Sequence, residues 1–211
     1  MKKILLAALA PLFLATTIAG AYAQGDDLSP WQVRVRGLAV VPNESATISV
    51  INGDAHIQND YVPELDITYF IAENFALELI LATTKHGVTA VGTDLGDVYL
   101  GNVNLLPPTL TAQYHFNPRG KIRPYIGAGL NWTLFFDEDP SGGVITDLKI
   151  ANSVGVALQV GVDIALDDHW MVNFDVKKLW LDTKASVNGG AILAKVDVDP
   201  WIFGVGFGYR F

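Results

Sequence analysis

Residues 201–211 alternate with a period of two. Trp201, Phe203, Val205, Phe207, Tyr209 and Phe211 are large and apolar, and Ile202, Gly204, Gly206, Gly208 and Arg210 lie between them. A strand points successive side chains to opposite faces, so this segment has one aromatic face and one that is mostly small. The same alternation recurs in 31–41, 62–71, 75–83, 106–116, 122–136, 154–164 and 170–181. In 31–41, Val33, Val35, Ala39 and Val41 oppose Gln32, Arg34, Arg36, Leu38 and Val40. In 62–71, Leu65, Ile67, Tyr69 and Ile71 oppose Glu64, Asp66 and Thr68. Each segment is about the 9–11 residues that a tilted strand needs to cross a bilayer. Beyond residue 23 no apolar run reaches the ~18 residues of a helical span.

The connections alternate in length. Residues 72–74, 117–121 and 165–169 read as tight turns; 42–61, 84–105, 137–152 and 182–199 read as long polar loops. Short turns on one side and long loops on the other predict an all-β fold: an eight-stranded antiparallel transmembrane β-barrel. Its turns and both termini face the periplasm, and its long loops are extracellular. Closure also removes the strand edges that a bilayer core cannot tolerate. Outward aromatic residues fall at two heights. Trp31, Tyr69, Phe75, Tyr114, Phe116, Trp170, Tyr209 and Phe211 sit near the turn side, and Trp132, Phe136, Trp180 and Trp201 near the loop side. Two such girdles match two membrane interfaces. A soluble lipocalin-like barrel would bury its apolar face inward, whereas here the opposite face collects most of the charges.

Residues 1–23 read as a secretory leader. Lys2 and Lys3 precede an apolar stretch, and Ala21-Tyr22-Ala23 is an A-x-A cleavage site, which predicts a mature start at Gln24. The apolar core is short for an anchoring helix. Residues 24–211 are then one barrel domain. Composition agrees with export. There is no cysteine, which excludes disulfide scaffolds, thiolate metal sites and lipidation at the cleavage site. The net charge is −8; taking Lys2 and Lys3 from 14 basic residues leaves 12 against 22 acidic ones, or −10. That excludes nucleic acid as a partner, because phosphate binding needs a basic face.

Several runs resemble the outer-membrane protein W (OmpW) family. They are Leu106-Pro107-Pro108-Thr109-Leu110, Pro124-Tyr125-Ile126-Gly127-Ala128-Gly129-Leu130-Asn131, and the closing Asp199-Pro200-Trp201 with Gly204-Val205-Gly206-Phe207-Gly208-Tyr209-Arg210-Phe211. The resemblance covers the whole mature chain. It implies a Gram-negative outer-membrane barrel in contact with lipid and lipopolysaccharide. It also implies insertion by the barrel assembly machinery, which recognises a last strand ending in Phe, here Phe211. The resemblance further implies passage of small hydrophobic molecules across the outer membrane.

Strand direction sorts the inward residues by height. Arg34, Arg36, Asp66, Glu78, His115, Arg123, Asp163, Asp175 and Arg210 fall toward the periplasmic end, with Glu64 and Lys177 nearer mid-height. Leu38, Val40, Val62, Ile80, Phe135, Leu179 and Leu181 fall toward the loops. A charged floor under an apolar vestibule is predicted. Paired floor charges would tolerate burial, and an apolar solute would gain nothing by descending through them. Exit through the wall is then easier than exit to the periplasm. Pro107, Pro108 and Pro200, which lack a ladder N–H, are either candidate openings or simple strand starts. The inward glycines Gly127, Gly129, Gly155, Gly161, Gly204, Gly206 and Gly208 either leave a narrow cavity or only relieve crowding.

No catalysis and no cofactor are expected. His56, His86, His115 and His169 are scattered, no H-E-x-x-H or G-x-S-x-G string exists, and Asp137-Glu138-Asp139 reads as a solvated charge run. A receptor or structural barrel that uses its loops, and a small ion channel, stay open as alternatives.

Overall fold

The computed structural model describes residues 29–211; the leader assigned to residues 1–23, with its cleavage site, lies outside them. Among the described residues fifteen strands follow in chain order. The first five are β1 (Trp31–Val41), β2 (Ser45–Ile48), β3 (Asp54–Ile57), β4 (Asp60–Phe70) and β5 (Phe75–Ala82). Next come β6 (Thr84–Thr93), β7 (Gly96–Leu106), β8 (Thr109–His115), β9 (Ile122–Pro140) and β10 (Leu148–Ile150). The last are β11 (Ser153–Ala165), β12 (Trp170–Trp180), β13 (Asp182–Val187), β14 (Ile192–Asp197) and β15 (Trp201–Arg210).

Eight of these form the wall, in the order β11-β12-β15-β1-β4-β5-β8-β9, and the pairing of β9 with β11 closes it. Every neighbour is antiparallel. The seam between the chain ends runs from Gln32↔Arg210 to Val41↔Trp201, and the β9–β11 seam from Ser153↔Thr133 to Ile164↔Ile122. Among the described residues no helix is long and apolar enough to cross a membrane, so the crossing is made by strands whose backbone groups are paired around the ring.

The alternation read from the sequence is the wall's inside and outside. Along β8 the burial strictly alternates, with Thr109, Thr111, Gln113 and His115 buried and Leu110, Ala112 and Tyr114 exposed. Such a greasy exterior is stable only against lipid. Near the turns, rings on the outer face touch edge to face: Phe75 with Tyr114, Tyr114 with Phe116, and Trp170 with Tyr209, each pair with centroids 5.0–5.1 Å apart. Near the loops, Trp132, Phe136, Trp180 and Trp201 are exposed in the second girdle. The outward-facing Lys178 sits beside Trp201, its Nζ 5.1 Å from the ring, and donates to the Asp199 carbonyl at the interface.

The long loops are more ordered than their composition suggests. The upper half of β9 pairs with β7, which pairs with β6, which pairs with β3, so the wall continues above the membrane. Strands β10, β13, β14 and β2 form a second, four-stranded sheet. Ile145, Leu148 and Val187 are buried there, with Val98, Leu100, Ile150 and Ile192 packed on them. The reading of 42–61, 84–105, 137–152 and 182–199 as plain polar loops is therefore corrected. Short period-two stretches inside them, such as Val103 with Leu105 and Val196 with Val198, hide between glycines and charges.

Candidate functional site

The lumen has two layers. The lower one is a plug built from the charged inward residues. Cross-strand register sets its pairs: Arg34 stands opposite Asp66 and Arg36 opposite Glu64 on β1 and β4. The Arg34 guanidinium donates from Nε and Nη2 to Asp163 at 3.1 and 2.7 Å, and from Nη1 to Asp66 at 2.9 Å and Thr68 at 3.0 Å. Arg36 pairs with Glu64, and its Nη2 lies 3.0 Å from Asp66 and 3.3 Å from Glu78. Lys177 Nζ lies 2.5 Å from Asp175 Oδ1 and 3.6 Å from Glu64 Oε2.

Neutral groups complete the plug. Tyr125 Oη donates to Asp175 at 2.8 Å, Gln159 Nε2 to the same oxygen at 2.8 Å, and Asn173 Nδ2 to Asp163 at 2.8 Å. Arg34, Asp66, Glu78 and Tyr125 are fully shielded from solvent. Buried charges persist because nearly every lone pair and N–H is matched, which offsets their desolvation.

The inward glycines serve this plug. A Cβ on Gly208 would meet the Arg34 stem at 3.0 Å, and one on Gly204 the Arg36 stem at 3.4 Å. A Cβ on Gly161 would overlap the Tyr125 ring. A Cβ at each of the inward glycines would meet a neighbouring side chain or the backbone of the next strand, so these positions relieve crowding rather than leave a channel.

Three more of the charged residues have the following contacts. His115 stacks on Tyr125 at 5.0 Å and bonds Gln113 at 3.1 Å. Arg123 is half-buried and donates to the Gly120 carbonyl at 2.8 Å. Arg210 lies over Phe70, 4.1 Å from its centroid, and reaches the Ser29 carbonyl. They line the periplasmic mouth. Tyr125, Gln159 and Asn173, which carry much of the hydrogen bonding, were not singled out from sequence; their inward parity was visible, but their partners across the lumen were not.

Above the plug lies a cavity of about 110 Å³. Leu38, Val40, Ile80, Phe135, Leu179 and Leu181 line it, and Glu64 and Lys177 are among its boundary residues. Val62 departs from expectation. It pairs with Leu38 in register but does not line this space. The loop strands add what sequence reading left out: Ile57, Val103, Leu105, Leu148, Ile150, Val196 and Val198 also line the cavity. Their spacing of two residues within short stretches was the available signal.

One interruption of the wall's pairing lies beside the cavity, between β5–β6 and β7–β8. Pairing of β5 with β8 stops at Ile80↔Thr109, and pairing of β6 with β7 starts at Thr84↔Leu105. Pro107 and Pro108 lie in this interval and offer no N–H. Their carbonyls turn to β9 instead, accepting from Asn131 Nδ2 at 3.1 Å and from the Trp132 N–H at 2.9 Å. Ala82, Thr84, Leu105, Pro107 and Thr109 all border the cavity here. At Pro200 the corresponding interval is bridged: the Leu179 N–H donates to Pro200, the Val198 N–H to Leu181, and the Leu181 N–H to Asp199 Oδ1, at 3.0–3.1 Å.

Comparison with known proteins bears on this arrangement. The family model described as OmpW family matches residues 29–211. An outer-membrane protein of Sinorhizobium fredii is 47% identical over 188 residues, covering 87% of this chain and 81% of its own. Outer membrane protein W of Vibrio cholerae is 36% identical over 217 residues, covering 98% of this chain and 97% of its own. The dibenzothiophene metabolism operon protein PahQ of Pseudomonas aeruginosa is 32% identical over 193 residues, covering 87% and 89%. Among solved structures, the outer membrane protein OprG of Pseudomonas aeruginosa superposes with a TM-score of 0.81 at 32% identity, covering 90% of this chain and 99% of that one. The outer membrane protein AlkL, solved in lipid bilayers, gives a TM-score of 0.68 at 27% identity, covering 90% and 94%.

Proposed function

The chain belongs to the OmpW family, and from that premise we propose that it passes small hydrophobic molecules across the Gram-negative outer membrane in which it resides. The observation that carries this reading is the apolar cavity held between the loop strands and a filled, charged plug. An apolar solute gains by leaving water for that cavity, at roughly 25 cal/mol per Å² of buried surface. Going further down would place it among paired charges, where burial gains nothing and the pairs would have to part. The ladder interruption at Pro107 and Pro108 borders the same cavity, which supports a sideways route into the bilayer as the exit in this proposal. PahQ, a relative named for a dibenzothiophene metabolism operon, is tied by that name to an apolar fused-ring compound, which fits this solute class. The filled plug speaks against the ion-channel reading. In the same proposal Phe211 is the mark read by the barrel assembly machinery, and residues 1–23 are the cleaved export leader.

The test is uptake of apolar solutes into proteoliposomes, with leakage through protein-free vesicles subtracted. Leu38→Asp and Leu179→Asp each set a carboxylate into the cavity wall, where both leucines are buried. Uptake should fall by about tenfold or more, the effect of ~1.4 kcal/mol on a transfer step, while the barrel still folds. Unchanged uptake by either folded variant sinks the vestibule.

A further inference from the structure

Resting on that uptake reading, we infer that the cavity selects neutral amphiphiles over plain hydrocarbons: an apolar body carrying one oxygen that accepts a hydrogen bond from Lys177. The polar groups on the cavity boundary are few, and their partners can be followed one by one. Thr109 Oγ1 donates to the Pro107 carbonyl at 3.1 Å, Thr133 Oγ1 to Asn131 at 2.7 Å, and Thr183 Oγ1 to the Ala151 carbonyl at 2.6 Å. The His86 ring nitrogens meet the Gln58 carbonyl at 2.7 Å and Thr84 Oγ1 at 3.1 Å. Glu64 is held by Arg36. Lys177 differs. Its side chain is 2% exposed, it borders the cavity, and its Nζ has ion contacts with Asp175 and Glu64 but no hydrogen bond of proper geometry.

An ammonium has three N–H donors and no acceptor. Asp175 and Glu64 hold this ammonium from the plug side, and a ligand oxygen arriving from the apolar side would satisfy a donor that these two carboxylates leave poorly matched. A hydrocarbon cannot. The charge around Lys177 decides which oxygen fits. Three cations, Arg34, Arg36 and Lys177, face five carboxylates, Glu64, Asp66, Glu78, Asp163 and Asp175. A carboxylate head would add to an excess of negative charge within a few ångströms of Glu64. A ketone, ester or alcohol oxygen accepts the bond without that repulsion. The tail then lies along Leu38, Leu179 and Leu181, which border the same space.

The experiment compares n-octane, 2-octanone and octanoate at neutral pH in proteoliposomes of the native barrel, each corrected for protein-free vesicles. The ketone should be taken up about tenfold faster than the alkane, the scale of one hydrogen bond to a charged donor. Its carbonyl stretch should move to lower wavenumber when bound. The paired variant Lys177→Met with Glu64→Gln removes one cation and one anion of similar shape, so the plug keeps its net charge. It should bring the ketone down to the alkane rate and abolish the carbonyl shift. Should that variant fail to fold, the native comparison and its infrared shift still decide. Equal rates for ketone and alkane, with no shift, overturn the role of Lys177 and leave the uptake reading standing. Fastest uptake of octanoate overturns the choice of a neutral head. No protein-dependent uptake of any of the three overturns the uptake reading and this inference with it.

Discussion

Arg34 ties two distant strands together, because its planar fork reaches Asp163 on β11 with two N–H groups and Asp66 on β4 with a third. Arg34→Met keeps much of the volume but strands both carboxylates without this cation. Removing one partner of a buried pair typically costs ~3–5 kcal/mol. A loss of that order is expected in urea unfolding of the refolded barrel, and Arg34→Lys should restore only part of it, since an ammonium cannot fork. An unchanged midpoint for Arg34→Met would mean that the plug is ornamental to stability. At this scale the inward side and height of Arg34 were legible, because both follow from counting by twos along 31–41. Its partners were not. They depend on the register between β1 and β4, which residues 42–59 separate, and on contacts across the lumen that no local pattern encodes. The Tyr125 stack on His115, beneath Asp175, belongs to the same illegible class.

The strands differ in how their upper ends are joined, and this is where exit is decided. Beside Pro200 the gap is stitched by three hydrogen bonds to neighbouring chain; beside Pro107 and Pro108 the carbonyls face β9 and the ladder toward β5 is broken. Replacing both residues, Pro107→Val with Pro108→Val, returns two N–H donors to the interval at similar side-chain volume. The wall should close more fully, so uptake of an apolar solute should fall several-fold while the unfolding midpoint stays level or rises. Pro200→Val serves as the comparison and should leave uptake unchanged. Equal behaviour of the two sites, in either direction, rules out the lateral route at Pro107 and Pro108. The prolines stood out in the sequence; which of them marks a break and which a bridged bend required the pairing on both sides. The eight wall strands were legible because each is long, one-sided and bounded by a turn. The loop strands were not, because Ala55 with Ile57 or Leu148 with Ile150 give only one repeat of the period before a polar or glycine residue interrupts it.

Over the whole molecule, the lower aromatic girdle and the two ends of the described residues, Ser29 and Phe211, meet at the periplasmic rim. Phe211 is 54% exposed there. Its N–H donates to the Trp31 carbonyl at 3.1 Å, and its ring meets Tyr209 edge to face at 5.1 Å. Phe211→Ala leaves the backbone bonds in place and removes one exposed ring contact, worth ~0.5–1.5 kcal/mol beyond its area. A purely structural Phe211 would therefore lower stability by about that much and lower the assembled amount in proportion. A Phe211 read by the assembly machinery behaves differently. The protein refolded in detergent should be nearly as stable as the native one, yet the amount of folded barrel in the cell envelope should drop several-fold. The two quantities are measured separately, by unfolding of the refolded barrel and by quantifying folded protein in isolated outer membranes. A parallel decline in both removes the recognition role, because the ring would then matter only through its contact with Tyr209.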